Sequence, residues 1–152
     1  MKLSAAGLEL IKQSEGFRAK VYLDIARNPT IGYGHRLAPN ECYPNGICAT
    51  EADVILLWDV REAEQAVARL VQVSLTQGQF SALVDFVFNL GSGRLAASTL
   101  LRDLNAGNYP SAAEQLLRWD HSGAQEISAL KARREAEFRL FTGSDSPQQA
   151  AA

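Results

Sequence analysis

Glu15-Gly16-Phe17-Arg18-Ala19-Lys20-Val21-Tyr22-Leu23-Asp24-Ile25-Ala26-Arg27-Asn28-Pro29-Thr30-Ile31-Gly32-Tyr33-Gly34-His35 is where the hydrophobic period of the chain changes. Upstream of it, Leu8, Ile11 and Glu15 fall at i, i+3 and i+7, so residues 5 to 15 read as a helix capped by Ser4 and stopped by Gly16. Over residues 18 to 24 the period drops to two. Ala19, Val21 and Leu23 then share one face and Lys20, Tyr22 and Asp24 the other, the pattern of a half-exposed strand. Arg27-Asn28-Pro29 is a turn signal, and a second strand from Thr30 is expected to fold back so that Asp24 and Thr30 approach near the open end of a hairpin. Gly32 and Gly34 share the face of Thr30 and leave room for a ligand beside the backbone.

Two carboxylates in unlike surroundings follow from this reading. Glu15 lies in the last turn of an apolar helix face, where partial desolvation and the negative end of the helix dipole both oppose ionisation. Asp24 points to the wetter side of its strand, with the Thr30 hydroxyl placed to hold a water. An acid that keeps its proton beside a carboxylate that stays ionised is the minimum equipment for cleaving a glycosidic bond. Plainer roles stand beside these: Glu15 in a salt bridge at a helix end, Asp24 starting a turn, Thr30 as an ordinary strand residue, and the glycines marking a bulge.

Taken in order, Glu15-Gly16-Phe17, Val21-Tyr22-Leu23-Asp24 and Thr30-Ile31-Gly32-Tyr33-Gly34-His35 resemble the signature of phage-type lysozymes, the endolysins of glycoside hydrolase family 24. Phe86-Val87-Phe88-Asn89-Leu90-Gly91-Ser92-Gly93, Ser98-Thr99-Leu100-Leu101, Leu104-Asn105-Ala106-Gly107 and Leu130-Lys131-Ala132-Arg133-Arg134-Glu135-Ala136-Glu137 extend the likeness over nearly the whole chain. The resemblance implies a mainly α (α+β) fold in one catalytic domain over residues 1 to 143. In it, a small lobe at about 14 to 60 with a β-hairpin or short sheet is joined by a long helix at about 51 to 73 to a helical lobe of about 75 to 142 plus 1 to 13, with a cleft between. It further implies a muramidase that hydrolyses the β-1,4 bond between N-acetylmuramic acid and N-acetylglucosamine in bacterial peptidoglycan. Glu15 would be the acid, Asp24 the base or electrostatic stabiliser and Thr30 the water-positioning residue. An inverting reaction is implied, which needs the carboxylates roughly 6.5 to 9.5 Å apart. An arginine on the last helix, Arg133 or Arg134, would support Glu15, against the alternative of solvated surface arginines. No cofactor or metal is called for, and a monomer is expected.

Composition agrees with an enzyme of this size. At 152 residues the chain is long enough for a working core in one domain, and its 47% hydrophobic content is ordinary for a globule. A net charge of −2 gives no global attraction to nucleic acid or to the anionic bacterial wall, so any such attraction must be local. The amino-terminal residues lack the apolar run of a signal peptide, and Val54-Ile55-Leu56-Leu57-Trp58 is far shorter than the ~20 residues of a membrane span. With the resemblance, this leads to the expectation of a protein held in the host cytoplasm that needs a holin to reach the wall. Cys42 and Cys48 flank a turn-rich loop and are either a pair that oxidises after release or two reduced thiols. A zinc site from His35, Cys42, Cys48 and His121 lacks paired ligand spacing.

Further along, Thr50 with Glu51 and Asp53 marks a helix start, and helical periodicity runs to about Val73. Residues 54 to 58 are apolar all round, which predicts a more enclosed first half, whereas Ala63, Val67, Leu70 and Ser74 keep to one stripe. Thr76 and Gln79 form a capping box that opens an apolar central helix. Asn89 at its end is either a hydrogen-bonding partner for an N-acetyl group or a helix cap, and Ser98 and Thr99 are open in the same way. Asn108 with Pro110 starts a helix over roughly 110 to 118, a last helix runs from about 126 to 141, and Gly143 ends it before a loose tail of residues 144 to 152. His35 reads as a structural ion pair. Of Tyr22, Trp58 and Trp119, Tyr22 is the expected sugar platform and the tryptophans default to core packing. Two other functions fit less well: a cell-wall amidase or peptidase using Cys or His, and an inactive wall-binding protein.

Overall fold

The computed structural model describes residues 1 to 143; the expected loose tail at 144 to 152 lies outside the described residues. Seven helices and two small antiparallel sheets make up the described residues, so the fold is mainly helical as expected. The chain divides into two compact units, one formed by Ile11–Arg61 and the other by Met1–Leu10 with the described residues from Glu62 onward.

Within Ile11–Arg61, the end of helix α1 (Ala5–Glu15) leads into a three-stranded sheet of β1 (Arg18–Leu23), β2 (Pro29–Gly32) and β3 (His35–Arg36), in that spatial order, followed by the first half of α2 (Ala49–Leu70). Ile11, Ile31, Ile47, Ala52, Leu56 and Val60 are buried and form the core of this unit. Gly32, at a φ of 64°, is packed and not open. A Cβ added to it would meet Ile47 Cδ1 at 3.3 Å and Ala52 Cβ at 3.4 Å, so the room expected there for a ligand is taken by the core.

Helix α2 departs from expectation at both ends. It begins at Ala49 because Glu51 reaches back, its Oε2 accepting from the Cys48 backbone N–H at 2.8 Å while the Cys48 carbonyl accepts from Ala52; Cys48 therefore holds the cap position and Thr50 lies inside the helix. It ends at Leu70, short of Val73. Nor is its first half the more enclosed one: Val54, Leu57 and Trp58 are exposed while Ala52, Leu56 and Val60 are buried. An all-round apolar sequence does not bury itself when only one face of the helix meets a neighbour.

In the second unit, α3 (Gln77–Leu90) is the central helix, opened by the expected capping box of Thr76 and Gln79 and buried at every residue from Phe80 to Val87. Ser4, the cap of α1, accepts from the Gly7 N–H at 3.1 Å and from the Ser81 hydroxyl of α3 at 3.0 Å. The short helices α4 (Ser92–Ala96), α5 (Thr99–Asn105) and α6 (Tyr109–Leu116) follow, α6 carrying the expected Asn108 cap. A two-stranded hairpin of β4 (His121–Ser122) and β5 (Gln125–Glu126), unforeseen in so polar a stretch, precedes α7 (Ser128–Thr142), which starts two residues later than expected and ends at Gly143 with a φ of 74°. α7 packs on both α3 and α6.

α3 and α7 approach closely at Gly78, where an added Cβ would fall 2.4 Å from the Leu140 carbonyl oxygen. Gly78→Ala should therefore destabilise the protein by about 1–3 kcal/mol although alanine is the better helix former, read as a lower denaturant midpoint. An unchanged or raised midpoint would show that α7 is free to move away.

Candidate active site

The helix α1 stops where Gly16 takes a φ of 73°, its N–H donating to the Lys12 carbonyl at 3.0 Å, and this leaves Glu15 as the last helical residue. Glu15 is exposed, which overturns the expectation that an apolar helix face would desolvate it. The helix face is apolar at Ile11, one turn earlier, but the chain turns away before Glu15 is covered. Gly34, at a φ of 83° in the β2–β3 turn, has its empty Cβ position 3.5 Å from Glu15 Oε2. Here the absent side chain does leave space, and it is space beside a carboxylate.

Hairpin geometry gathers Asp24 and Thr30, though at the turn and not at the open end. Tyr22 pairs with Thr30 and Leu23 with Pro29, so Asp24 already belongs to the turn. Asn28 organises that turn. Its backbone N–H donates to Asp24 Oδ1 at 2.8 Å, its side-chain amide donates to both Asp24 oxygens at 3.3 and 3.2 Å, and its carbonyl accepts from the Asp24 N–H at 3.0 Å and from the Thr30 hydroxyl at 2.9 Å. Arg36, opposite Thr30 on β3, brings its Nε to 3.0 Å from Asp24 Oδ2. The Asn28 backbone donor first, then its side chain and the Arg36 charge, outweigh partial burial and hold the Asp24 carboxyl below the usual range. Thr30 is almost wholly buried, and because its one O–H is donated to Asn28 it presents only lone pairs to any further partner. Tyr22 is half-buried, with the Arg18 guanidinium 4.8 Å from its ring centre.

His35 is held between two carboxylates: Nδ1 lies 2.9 Å from Asp59 Oδ2 on α2 and Nε2 lies 3.0 Å from Glu41 Oε2. Burial by itself would lower the imidazole pKa, but the Glu41 hydrogen bond and the Asp59 charge outweigh it and hold His35 above its ordinary value of 6.5. The structural ion pair expected of His35 is present, with two partners and not one. Both ring nitrogens are engaged, so His35 is not available as a base to Cys42 or Cys48, which are exposed free thiols. Among the described residues no group of three His, Cys, Asp or Glu is arranged to hold a metal ion.

The other expected site residues belong to the second unit and mostly have structural partners there. Arg133 donates to Asp85 through Nε at 2.9 Å and Nη2 at 2.7 Å, both residues being buried. Arg134 is fully buried, donating from Nη2 to Asn89 Oδ1 at 2.9 Å and lying 2.7 Å from Glu137 Oε1. Neither arginine is a solvated surface residue, and Asn89 is neither a cap nor an open amide on its oxygen side. Burial, then the adjacent Asp85 carboxyl, push Glu137 well above the usual carboxylate range. Ser98 is the cap of α5, accepting from the Leu101 N–H at 3.0 Å and donating to the Leu95 carbonyl at 2.7 Å, whereas Thr99 is exposed. Trp119 packs edge-on to Phe86 at 5.4 Å, but Trp58 is exposed with Arg61 stacked 4.0 Å from its centre, against the core packing expected of it.

Asn28, Arg36, Asp59, Glu41 and Asp85 were not singled out in the sequence. Asn28 carried a readable signal, since an Asn-Pro pair marks a turn. Arg36, Asp59 and Asp85 carried none, because their partners are set by strand register or by helix packing.

Known proteins resemble this chain along its length. A family model described as phage lysozyme matches residues 12–137. The endolysin of Bacillus phage B103 is 42% identical over 149 residues, covering 96% of this chain and 56% of that protein, so the chain spans about half the length of that relative. A crystal structure of a mutant P22 lysozyme superposes with a TM-score of 0.85 at 36% identity, covering 93% of this chain and 99% of that one. The muramidase domain of SpmX from Asticaccaulis excentricus gives 0.83 at 36% identity, over 92% and 97% of the two chains.

The His35 clamp has a pH signature. Because its folded pKa is raised, the stability it contributes is fully present below the unfolded value of 6.5 and is lost as pH climbs through the folded one. Unfolding free energy measured from acid to alkaline pH should show that decline in the parent chain and lose it in His35→Gln; parallel curves would remove the clamp from the account.

Proposed function

The chain belongs to the phage lysozyme family, and from that premise we propose that it is a peptidoglycan muramidase of the endolysin type, hydrolysing the β-1,4 bond between N-acetylmuramic acid and N-acetylglucosamine. The observation that carries the reading is the set of Glu15, Asp24 and Thr30 within one compact unit, Asp24 and Thr30 joined through Asn28. Residues 1 to 143 are proposed to act as the single catalytic domain.

Glu15 is proposed as the general acid that hands its proton to the departing sugar oxygen. Its exposure keeps that proton within reach of a bound glycan and of the solvent that restores it. Asp24, surrounded by donors, is a weak base and a durable anion, so electrostatic stabilisation of the positively charged sugar ring suits it better than early proton abstraction. A water that donates one hydrogen to Thr30 and the other to Asp24 would turn its own lone pair outward, towards the anomeric carbon. As the water oxygen bonds to the anomeric carbon, the bond to the leaving sugar oxygen breaks and that oxygen takes the Glu15 proton, while the water's surplus proton passes to Asp24 late in the step; attack from that side inverts the configuration, and inversion is the outcome proposed. Tyr22, on the strand beside Asp24, is the sugar platform proposed. Arg133, held by Asp85, is proposed as a supporting residue. No helix among the described residues is long and apolar enough to cross a membrane. Passage to the wall through a separate holin-type pore, with the enzyme acting as a monomer, completes the reading.

Glu15→Gln should lower release of reducing ends from purified peptidoglycan by about 10²–10⁴-fold while leaving the unfolding transition in place. Normal turnover by the folded variant would sink the assignment, and release of free amines in place of reducing ends would point to an amidase. Arg36→Gln removes a charge that favours the Asp24 carboxylate, so the acid limb of the activity profile should move to higher pH; no movement would separate Asp24 from that limb. Proton NMR of the first product anomer checks the stereochemistry, retention being the result that rules out the water path described.

A further inference from the structure

The strand β1 and the turn that follows it carry large apolar side chains that stay exposed. Val21, Leu23 and Ile25 have the two-residue spacing of a buried strand face, yet they are 41%, 53% and 107% exposed, and Phe17 before them is 41% exposed. The same stretch, residues 17 to 27, holds the exposed cations Arg18, Lys20 and Arg27 against one acid, Asp24, whose charge is taken up by Asn28 and Arg36. This local excess of positive charge sits in a chain whose net charge is −2.

We propose that the exposed face and turn of this hairpin, Val21, Leu23 and Ile25 with Lys20 and Arg27, form a peripheral docking site for an anionic phospholipid bilayer. Charge complementarity selects a negative surface, each Lys or Arg near it adding attraction that falls away within a Debye length. The apolar side chains choose between negative surfaces. A wall polymer would engage the cations and leave Ile25 in water, whereas a bilayer gives Leu23 and Ile25 the acyl boundary while phosphates meet Lys20 and Arg27. The hairpin is two short strands and a tight turn, so the contact is shallow and does not span. Leu23, the neighbour of Tyr22 in the ladder, lies on the other side of the sheet from Tyr22 and Thr30, and Lys20 and Val21 fall in the irregular stretch of β1 between Arg18 and Tyr22, so the strand's alternation does not fix their side. Such a contact would keep the enzyme at a membrane surface next to the wall.

Sedimentation of the full chain with vesicles of phosphatidylcholine, alone or with about 30% phosphatidylglycerol, tests this at low and high salt. Binding should be confined to the anionic vesicles and weaken with salt. Leu23→Ser with Ile25→Ser, and separately Lys20→Glu with Arg27→Glu, should each lower the bound fraction about tenfold or more. Turnover of lipid-free peptidoglycan by the Leu23/Ile25 variant should stay within about twofold of the parent, which excludes misfolding as the cause. Absence of binding to anionic vesicles overturns the proposal, as does equal binding by the parent and the Leu23/Ile25 variant. Loss of binding to lipid-free sacculi by the Lys20/Arg27 variant, with vesicle binding intact, would assign the patch to the wall instead.

Discussion

Asn28 is the residue through which the candidate site is held together. A carboxylate at the end of a strand has several low-energy orientations, and a threonine hydroxyl has more. One asparagine removes most of them by donating twice to Asp24 and accepting from both Asp24 and Thr30. The same bonds that fix the geometry also fix the charge state, because the donations from the Asn28 backbone and side chain favour the ionised carboxylate. Orientation and protonation are thus one constraint here. Arg36 reinforces it from the neighbouring strand, where the ladder register sets it opposite Thr30.

Each unit then anchors its framework with buried or half-buried charge. In Ile11–Arg61, His35 ties the short strand β3 to α2 through Asp59 and to the following loop through Glu41. In the second unit, Arg133 ties α7 to α3 through a two-bond pair with Asp85, and Arg134 adds Asn89 and Glu137. Burying such groups is costly, and the cost is offset only when the partners are kept in place. That requirement restricts how α3 and α7 can pack more narrowly than their apolar surfaces would, since apolar contact has no direction and a bidentate guanidinium does.

The exposed apolar side chains show where pattern reading reached its limit. Alternation in β1 announced a buried face, and the all-round apolar run in α2 announced an enclosed helix. Val21, Leu23, Val54, Leu57 and Trp58 are nonetheless exposed. Periodicity says which residues share a face but not whether a second element arrives to cover it. Glu15 is the same lesson at a single residue, apolar in its helical register and exposed in fact, because α1 ends before any neighbour closes over it.

Local chemistry was written in the chain. The Ser4 cap and Gly16 stop of α1, the capping box of α3, the Asn108 cap and the hairpin turn near Asn28 all depend on groups a few residues apart, and they were legible for that reason. The triad of Glu15, Asp24 and Thr30 could be nominated from residue type and order, and the family likeness spans residues 12–137 around it. Tertiary structure alone decided the partners of His35, Arg133, Arg134 and Asn89, the covering of Gly32 and the openness beside Gly34. Those partners lie up to 48 positions away in sequence, and a hydrogen bond or an ion pair depends on distance in space, which only the packed chain supplies.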